Sequence, residues 1–179
     1  MPKSVAQRQR PQRRREPEVP VAPVALDKKG DALLALLPEV FEAFDVEFGA
    51  AVDEVVVTAK PRDVPAICRL AKEDSRLDLT YLRCLSVVDY EERLEVNYHL
   101  FSLEKRHKMV LKTSVPPDEP FVPSIVSIWR GADWFEREGH DLFGVVFQGH
   151  PNLAPLVLYE GFEGYPGRKS FPFHEYNEY

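Results

Sequence analysis

The sequence is poor in cysteine. Its 179 residues include only Cys68 and Cys84, which form neither a CxxC pair nor a zinc or iron–sulfur ligand spacing. Both lie among apolar residues, a setting typical of buried free thiols in a reducing cytoplasm. The chain therefore cannot hold an iron–sulfur cluster with cysteines alone.

Long apolar runs are also missing. The longest, Ala32 to Leu37, is far too short to cross a bilayer. No charged start is followed by the apolar stretch of a signal peptide. We therefore expect any membrane association to come through a partner or a surface.

Cations are scarce in the body of the chain. Residues 1–27 carry six Lys/Arg against three Asp/Glu, and the remainder carries 17 against 26, for a net charge of −6. An acidic body does not suit a phosphate backbone, so we expect no nucleic acid among the partners. One alternative stays open, in which the basic residues 1–27 contact a nucleic acid or an anionic membrane.

Three regions are predicted along the chain. Residues 1–27 hold five prolines and no aromatic residue, so they are expected to form a disordered basic tail. Residues 28–158 form the folded domain. Residues 159–179 form an extended, aromatic-rich arm for partner binding.

Hydrophobic periodicity predicts an α+β domain. Helical spacing covers residues 31–44, where Pro38 is a possible break, and a second helix follows Lys60 as far as about Arg76. Strands are predicted at 52–58, 82–88, 94–100 and 109–115. Their short connections favour a mostly antiparallel four-stranded sheet with helices on one face.

The stretch FEREGHDLFGVVFQGHP, residues 135–151, is the most distinctive part of the sequence. Asp133 and Glu136 have the spacing of a capping box. They predict a helix from Trp134 to about Phe143, with Gly144 as its C-cap.

The helical arrangement of this stretch places Glu138 between Trp134 and Leu142, on the apolar side of the helix. A buried carboxylate is costly unless it is paired, so a specific partner is predicted for Glu138 in this chain or another. Glu136 falls on the polar side, where Arg137 and Asp141 can pair at i,i+4. We therefore expect Glu138→Ala to impair assembly more than Glu136→Ala.

No catalytic set is recognisable in this stretch. Glu136 and Glu138 diverge by about 160° around a helix and cannot flank one bond. No Ser or Cys nucleophile lies beside a histidine, and no GxGxxG or P-loop is present. We expect no catalytic, cofactor-binding or metal-binding residue here. A separate hypothesis is a metal-dependent enzyme that uses Glu136, His140 and His150, with His174 further along the chain.

The C-terminal stretch is rich in aromatic residues and is interrupted by glycine and proline. Such an irregular segment must bury its rings either on its own domain or along a partner. Arg168 and Lys169 in its middle suit an acidic or polar partner groove. Its aromatic residues are Tyr159, Phe162, Tyr165, Phe171, Phe173, Tyr176 and Tyr179.

An ordered series of motifs resembles the C subunit of NADH-quinone oxidoreductase, respiratory complex I. The resemblance extends from about residue 30 to residue 172, and its specific part is 127–172. In chain order the matching motifs are Ser127-Ile128-Trp129, Asp133-Trp134, Glu136-Arg137-Glu138, Asp141-Leu142-Phe143-Gly144, Phe147, Gly149-His150-Pro151-Asn152-Leu153 and GYPGRKSFP at 164–172.

The resemblance implies a non-catalytic subunit of the peripheral arm, on the cytoplasmic side of a bacterial membrane, with an α+β fold. It implies packing on the D subunit, which helps to form the quinone cavity, and a place near the cluster-bearing B subunit. FMN and iron–sulfur clusters would belong to other subunits, and the complex would couple NADH-to-quinone electron transfer to proton translocation. The implied motif and interface residues are Trp134, Glu136, Arg137, Glu138, Asp141, Phe143, Gly144, His150, Pro151, Arg168, Lys169, Phe171 and Pro172.

Four residues depart from the family pattern. Ala154 and Pro155 occupy positions that usually include basic residues. The stretch Gly167-Arg168-Lys169-Ser170 stands where the family usually has Leu-Arg-Lys-Asp. Lost charges would change salt bridges across the contact with a neighbouring chain. They leave open a homologous subunit of a related complex, such as a membrane-bound hydrogenase or a ferredoxin- or deazaflavin-dependent quinone reductase.

Overall fold

The computed structural model describes residues 25–172, so the predicted tail lies outside it except for its last three residues. Leu26 packs against the core, and the Asp27 carboxylate accepts a hydrogen bond from the Gly30 N–H at 2.7 Å. Asp27 thereby caps helix α1 (Lys28–Val40). The folded domain thus includes residues earlier than the predicted start at residue 28.

Five strands form a mixed sheet in the order β1-β2-β5-β4-β3. Strands β2 and β5 are parallel, and the other neighbours are antiparallel. The expectation of a mostly antiparallel sheet is confirmed, since three of the four pairings are antiparallel, but the expectation of four strands is wrong. The strands are β1 (Val46–Ala51), β2 (Glu54–Ala59), β3 (Tyr81–Asp89), β4 (Leu94–Phe101) and β5 (Lys108–Val115).

The missed strand has a physical explanation. Strand β1 ends in Gly49, Ala50 and Ala51, which have weak strand propensity. A tight turn at Val52 and Asp53 joins it to β2, and Val52 has a φ of 59° there. That left-handed conformation is rare for a β-branched residue. The β-branched side chain of Val52 therefore wrongly placed this residue in the predicted strand 52–58.

The helices cover one face of the sheet, as predicted. Helix α2 (Val64–Glu73) follows a short 3-10 turn at Pro61–Asp63, and Pro38 lies within the continuous helix α1. In the core, the buried residues of these helices pack against side chains at alternate positions of the strands. The core includes Leu33, Leu37, Val55, Val57, Ile67, Cys68, Leu85, Val87, Val96, Tyr98, Leu100, Met109 and Leu111.

The distinctive stretch forms helix α3 (Ala132–Phe143), which packs on β3. Two short parallel strands, β6 (Phe121–Pro123) and β7 (Val146–Gln148), lie before and after it. Gly131 occupies the N-cap and no side chain caps this end, so the predicted capping box of Asp133 and Glu136 does not form. Within residues 25–172, no helix has the length and apolar character that a membrane span requires.

Candidate functional site

Glu136 is a fully buried carboxyl group of α3, and Glu138 is exposed. The predicted burial of the two glutamates is therefore reversed, whereas the larger effect of Glu138→Ala on assembly stays a prediction. Glu136 is 0% exposed, and its Oε1 accepts a hydrogen bond from the Ile125 N–H at 2.7 Å. Its Oε2 has no hydrogen-bond partner among the described residues.

The reversal follows from the size of the residues on the packed side of α3. Ala132 and Gly139 are fully or almost fully buried along with Glu136. A Cβ added to Gly139 would lie 3.0 Å from the Val87 side chain and 3.4 Å from the Phe147 ring. The helix approaches the sheet through these small residues, so the large apolar residues do not mark its buried side.

Burial raises the pKa of Glu136 to about 7. The Ser124 hydroxyl and the Ile125 N–H favour the charged form and oppose this shift, whereas the nearby negative charge of Asp133 adds to it. The carboxyl is therefore poised between its neutral and charged forms near neutral pH.

The outer side of α3 exposes a large aromatic residue. Trp134 is 65% exposed, although the helical pattern assigned it to the apolar side. Glu138 lies at the rim of a groove of about 210 Å³ between α3 and β3. The half-buried Phe135 and Leu142 line the same groove. This side of the helix leaves apolar surface open to solvent.

Asp141 binds the chain that follows β7. Its Oδ2 accepts hydrogen bonds from the N–H groups of Leu156, Val157 and Leu158 at 2.7, 2.8 and 3.2 Å. Burial alone would raise the pKa of Asp141, but these three donors outweigh it and hold the pKa below its usual range. Asp141 therefore remains charged at neutral pH.

Arg137 binds the same segment through backbone carbonyls. Its Nε donates to the Ala154 oxygen at 2.9 Å, and its second terminal nitrogen donates to the Pro155 oxygen at 2.8 Å. The predicted Arg137–Asp141 pair is thus replaced by two separate contacts to residues 154–158. Because Arg137 contacts only carbonyls here, the unusual Ala154 and Pro155 side chains do not disturb the contact.

The end of α3 binds the beginning of the predicted arm. Gly144 adopts the left-handed C-cap conformation with φ 73°, as predicted. The Tyr165 ring covers it so closely that an added Cβ would lie 2.5 Å from the ring. The Gly167 N–H donates to the Leu142 oxygen at 2.8 Å, and Arg168 Nε donates to the Phe143 oxygen at 2.7 Å.

The remaining motif residues lie in different surroundings. The backbone N–H of Lys169 donates to Asp89 Oδ2 at 2.7 Å, and the Phe171 ring stacks on Phe162 at 5.9 Å between centroids. The side chain of His150 is buried, and its Nε2 lies 3.0 Å from Asp133 Oδ1. Pro151 and Pro172 are exposed. Thus residues 159–172 contact their own domain, whereas Phe173, Tyr176 and Tyr179 lie outside the described residues.

The structure does not bring the hypothetical metal ligands together. Glu136 binds the Ile125 N–H, His140 Nδ1 lies 2.9 Å from the Val145 oxygen, and His150 faces Asp133. Between residues 25 and 172, no group of three or more His, Cys, Asp or Glu residues could hold a metal ion. His174 lies outside the described residues.

Sequence reasoning missed Ile125, Gly139 and Asp89 as parts of the site. Ile125 and Asp89 contribute a backbone donor and a carboxylate from distant segments, and no local pattern announces such contacts. Gly139 did have a usable signal, since a glycine inside a regular helix often marks close packing.

The sequence matches the family described as "Respiratory-chain NADH dehydrogenase, 30 Kd subunit" over residues 57–177. The chain belongs to this family. It is similar to the NADH-quinone oxidoreductase C subunit numbered 2 of Rhizobium meliloti (strain 1021), with 38% identity over 133 residues. That alignment covers 73% of this chain and 72% of the relative.

Two solved structures share the fold of this family member. One is a chain of "the membrane-bound sulfane sulfur reductase (MBS), an archaeal respiratory membrane complex", with a TM-score of 0.69 and 25% identity, and the match covers 81% of this chain and 86% of that one. The other is "Nqo5 of the trypsin-resistant fragment (1-134) in P63 form", with a TM-score of 0.55 and 25% identity. That match covers 67% of this chain and 98% of the other chain. The family membership agrees with the recognition made from the motifs.

Proposed function

We propose that this chain is a non-catalytic, peripheral-arm subunit of a proton-translocating NADH-quinone oxidoreductase, on the cytoplasmic side of a bacterial membrane. It supports the quinone-reducing module by packing on the D subunit, near the B subunit. The chain carries no cofactor itself, and the complex carries FMN and iron–sulfur clusters in other subunits. The family match over residues 57–177 is the observation that carries this proposal.

The surface of α3 and its bound segment supports a docking role. Trp134, Val157 and Tyr159 are 65%, 57% and 72% exposed, so α3 and the segment bound to it present large apolar side chains to solvent. Aromatic residues at such positions dominate the energetics of protein interfaces. The hydrogen bonds from residues 156–158 to Asp141 hold Val157 and Tyr159 near α3 without a partner.

The test is a tagged purification of the full chain from gently solubilised membranes. Co-purification of flavin and iron–sulfur subunits, together with NADH-to-quinone activity, supports the proposal. Recovery of the chain as a single soluble protein contradicts it. Identified contacts to the D and B subunits by chemical cross-linking would test the finer arrangement in the same preparation.

A second candidate is the homologous subunit of a related energy-converting complex with another electron donor. The fold similarity to a chain of an archaeal sulfane sulfur reductase complex, with a TM-score of 0.69, favours considering it. This candidate predicts a co-purified membrane complex that lacks an NADH-oxidising module. Identification of the co-purified subunits therefore separates the two candidates.

A further inference from the structure

Glu136 is buried in an environment that offers little to a negative charge. Its side chain is fully buried, and the Ile125 N–H is the donor that contacts Oε1. Among residues 25–172, no Lys, Arg or His forms an ion pair with it. An ionised carboxylate with so few partners costs several kcal/mol to bury, whereas a neutral carboxyl costs much less.

The titratable groups around Glu136 do not offset this preference. Cys68 on α2 and Tyr98 on β4 are fully buried, and the charge of Glu136 raises the pKa of each in addition to the effect of burial. Asp133 on α3 adds a further negative charge, although His150 lies 3.0 Å from it. The hydroxyl of Tyr98 has no hydrogen-bond partner among the described residues. These neighbours supply no compensating positive charge to Glu136.

Glu136 also connects two separate parts of the chain. The turn it contacts, residues 124–129, is closed by hydrogen bonds from the N–H groups of Ile128 and Trp129 to the Ile125 oxygen at 2.9 and 3.0 Å. The same turn is attached elsewhere through the Trp129 indole, which donates to the Thr80 oxygen at 2.9 Å. We define the contact between Glu136 and residues 124–129 as the α3–turn seam.

We propose that Glu136 is a proton-binding site that couples protonation to closure of the α3–turn seam. The carboxyl binds its proton more tightly while the seam is closed, because burial disfavours the charged form. When the seam opens, water solvates the carboxylate and the proton leaves to bulk solvent. Rising pH therefore favours opening, and falling pH favours closure. This inference concerns the chain alone and does not depend on the proposed function.

Hydrogen exchange of residues 124–129 in the full chain measures seam opening. A carboxyl whose pKa changes from 4.5 in the open state to about 7 in the closed state makes opening on the order of 70-fold more favourable at pH 8 than at pH 5. We therefore expect the protection factors of this turn to fall by up to that factor in the wild type. They should stay nearly constant in Glu136→Gln, which keeps an oxygen acceptor for the Ile125 N–H but cannot ionise.

Glu138→Gln is the matched control, because it removes an exposed carboxylate from the same helix. It should show the wild-type pH dependence. Equal pH dependence in the wild type and in Glu136→Gln would overturn the proposal.

A titration of the wild-type chain tests the same site without a variant. With carboxyl-carbon-labelled glutamate, NMR should show one buried carboxyl that titrates near pH 7. Titration of every glutamate below about pH 5, close to the unperturbed value for this side chain, would contradict the proposal.

Discussion

Glu136 and Asp141 are buried carboxyl groups on one helix, yet their surroundings favour opposite charge states. Glu136 accepts one N–H and its pKa rises to about 7, whereas Asp141 accepts three N–H groups and its pKa falls. Burial disfavours the charge in both but is deeper at Glu136, so deeper burial of Glu136 and the larger number of donors at Asp141 together separate the two pKa values. Glu136 is therefore poised between its two forms near neutral pH, whereas Asp141 binds residues 156–158 as an anion.

The largest effect on stability is expected from removing the Glu136 carboxyl. Glu136→Ala should lower the free energy of unfolding by about 3 kcal/mol, because it leaves a cavity and a buried Ile125 N–H without an acceptor. Glu138→Ala should change it by less than about 0.5 kcal/mol, since Glu138 is exposed. Urea denaturation followed by circular dichroism at pH 6 measures both. Equal losses would contradict the observed placement of the two glutamates.

The pH profile of stability should separate the two carboxyls next. A folded-state pKa above the unfolded value of 4.5 means that the Glu136 contribution is fully present below about pH 4.5 and is lost as pH rises through about 7. The wild type should lose about 2.5 kcal/mol between pH 5 and pH 8 relative to Glu136→Gln. Denaturation curves at these two pH values provide the measurement. Equal changes in the free energy of unfolding for the wild type and Glu136→Gln would refute the prediction.

Removing the Asp141 carboxylate should release residues 154–158 from α3. Asp141→Ala should lower the free energy of unfolding by about 2 kcal/mol, since three N–H groups lose a charged acceptor. Limited proteolysis should show faster cleavage within residues 154–158, and Asp118→Ala in an exposed loop is the control. Unchanged cleavage in Asp141→Ala would show that Asp141 does not hold this segment.

Asp141 should also give the opposite pH response. Its lowered pKa stabilises the fold above the unfolded-state pKa, and that stability is lost as pH falls through the lower folded-state pKa. Asp141→Asn should therefore show a shallower loss of stability in acid than the wild type. Thermal unfolding between pH 5 and pH 2 measures the slope, and an unchanged slope would exclude this role.

The smallest effect is expected at Gly167, where the arm of residues 159–172 contacts the end of α3. Gly167→Ala should cost about 1 kcal/mol, because its Cβ would lie 2.9 Å from the Leu142 oxygen and 2.8 Å from the Phe143 ring. Gly131→Ala is the control, since no atom lies within 4 Å of its added Cβ. Thermal unfolding of both variants would reveal the difference. Greater destabilisation by Gly131→Ala would contradict the close contact at Gly167.

Local patterns predicted the elements better than their arrangement. Alternating residues marked β4 and β5, and Gly144 marked the end of α3, because these signals depend on nearby residues. The parallel pairing of β2 with β5 joins residues more than 50 positions apart, such as Val55 and Met109. No local pattern specifies that pairing.

The motif was recognised correctly, but the orientation of its helix was not. The helical pattern treated Trp134 as buried and Glu136 as exposed, because it ranked residues by polarity. In the fold, Ala132 and Gly139 allow close packing and Glu136 finds a backbone donor, so polarity was a poor guide to burial. The resemblance identified the family, and the structure shows that Arg137 and Asp141 bind residues 154–158 of their own chain.

Recovery of partner subunits with a Trp134→Ala chain tests the central claim most directly. Trp134 is 65% exposed on α3, and Tyr81, 49% exposed at the start of β3, provides a control aromatic residue. The full chain with each substitution would be purified from gently solubilised membranes, after circular dichroism has confirmed its fold. The proposed function predicts that Trp134→Ala reduces the co-purified flavin and iron–sulfur subunits several-fold while Tyr81→Ala does not. Wild-type recovery with Trp134→Ala would contradict a docking role for this side of α3.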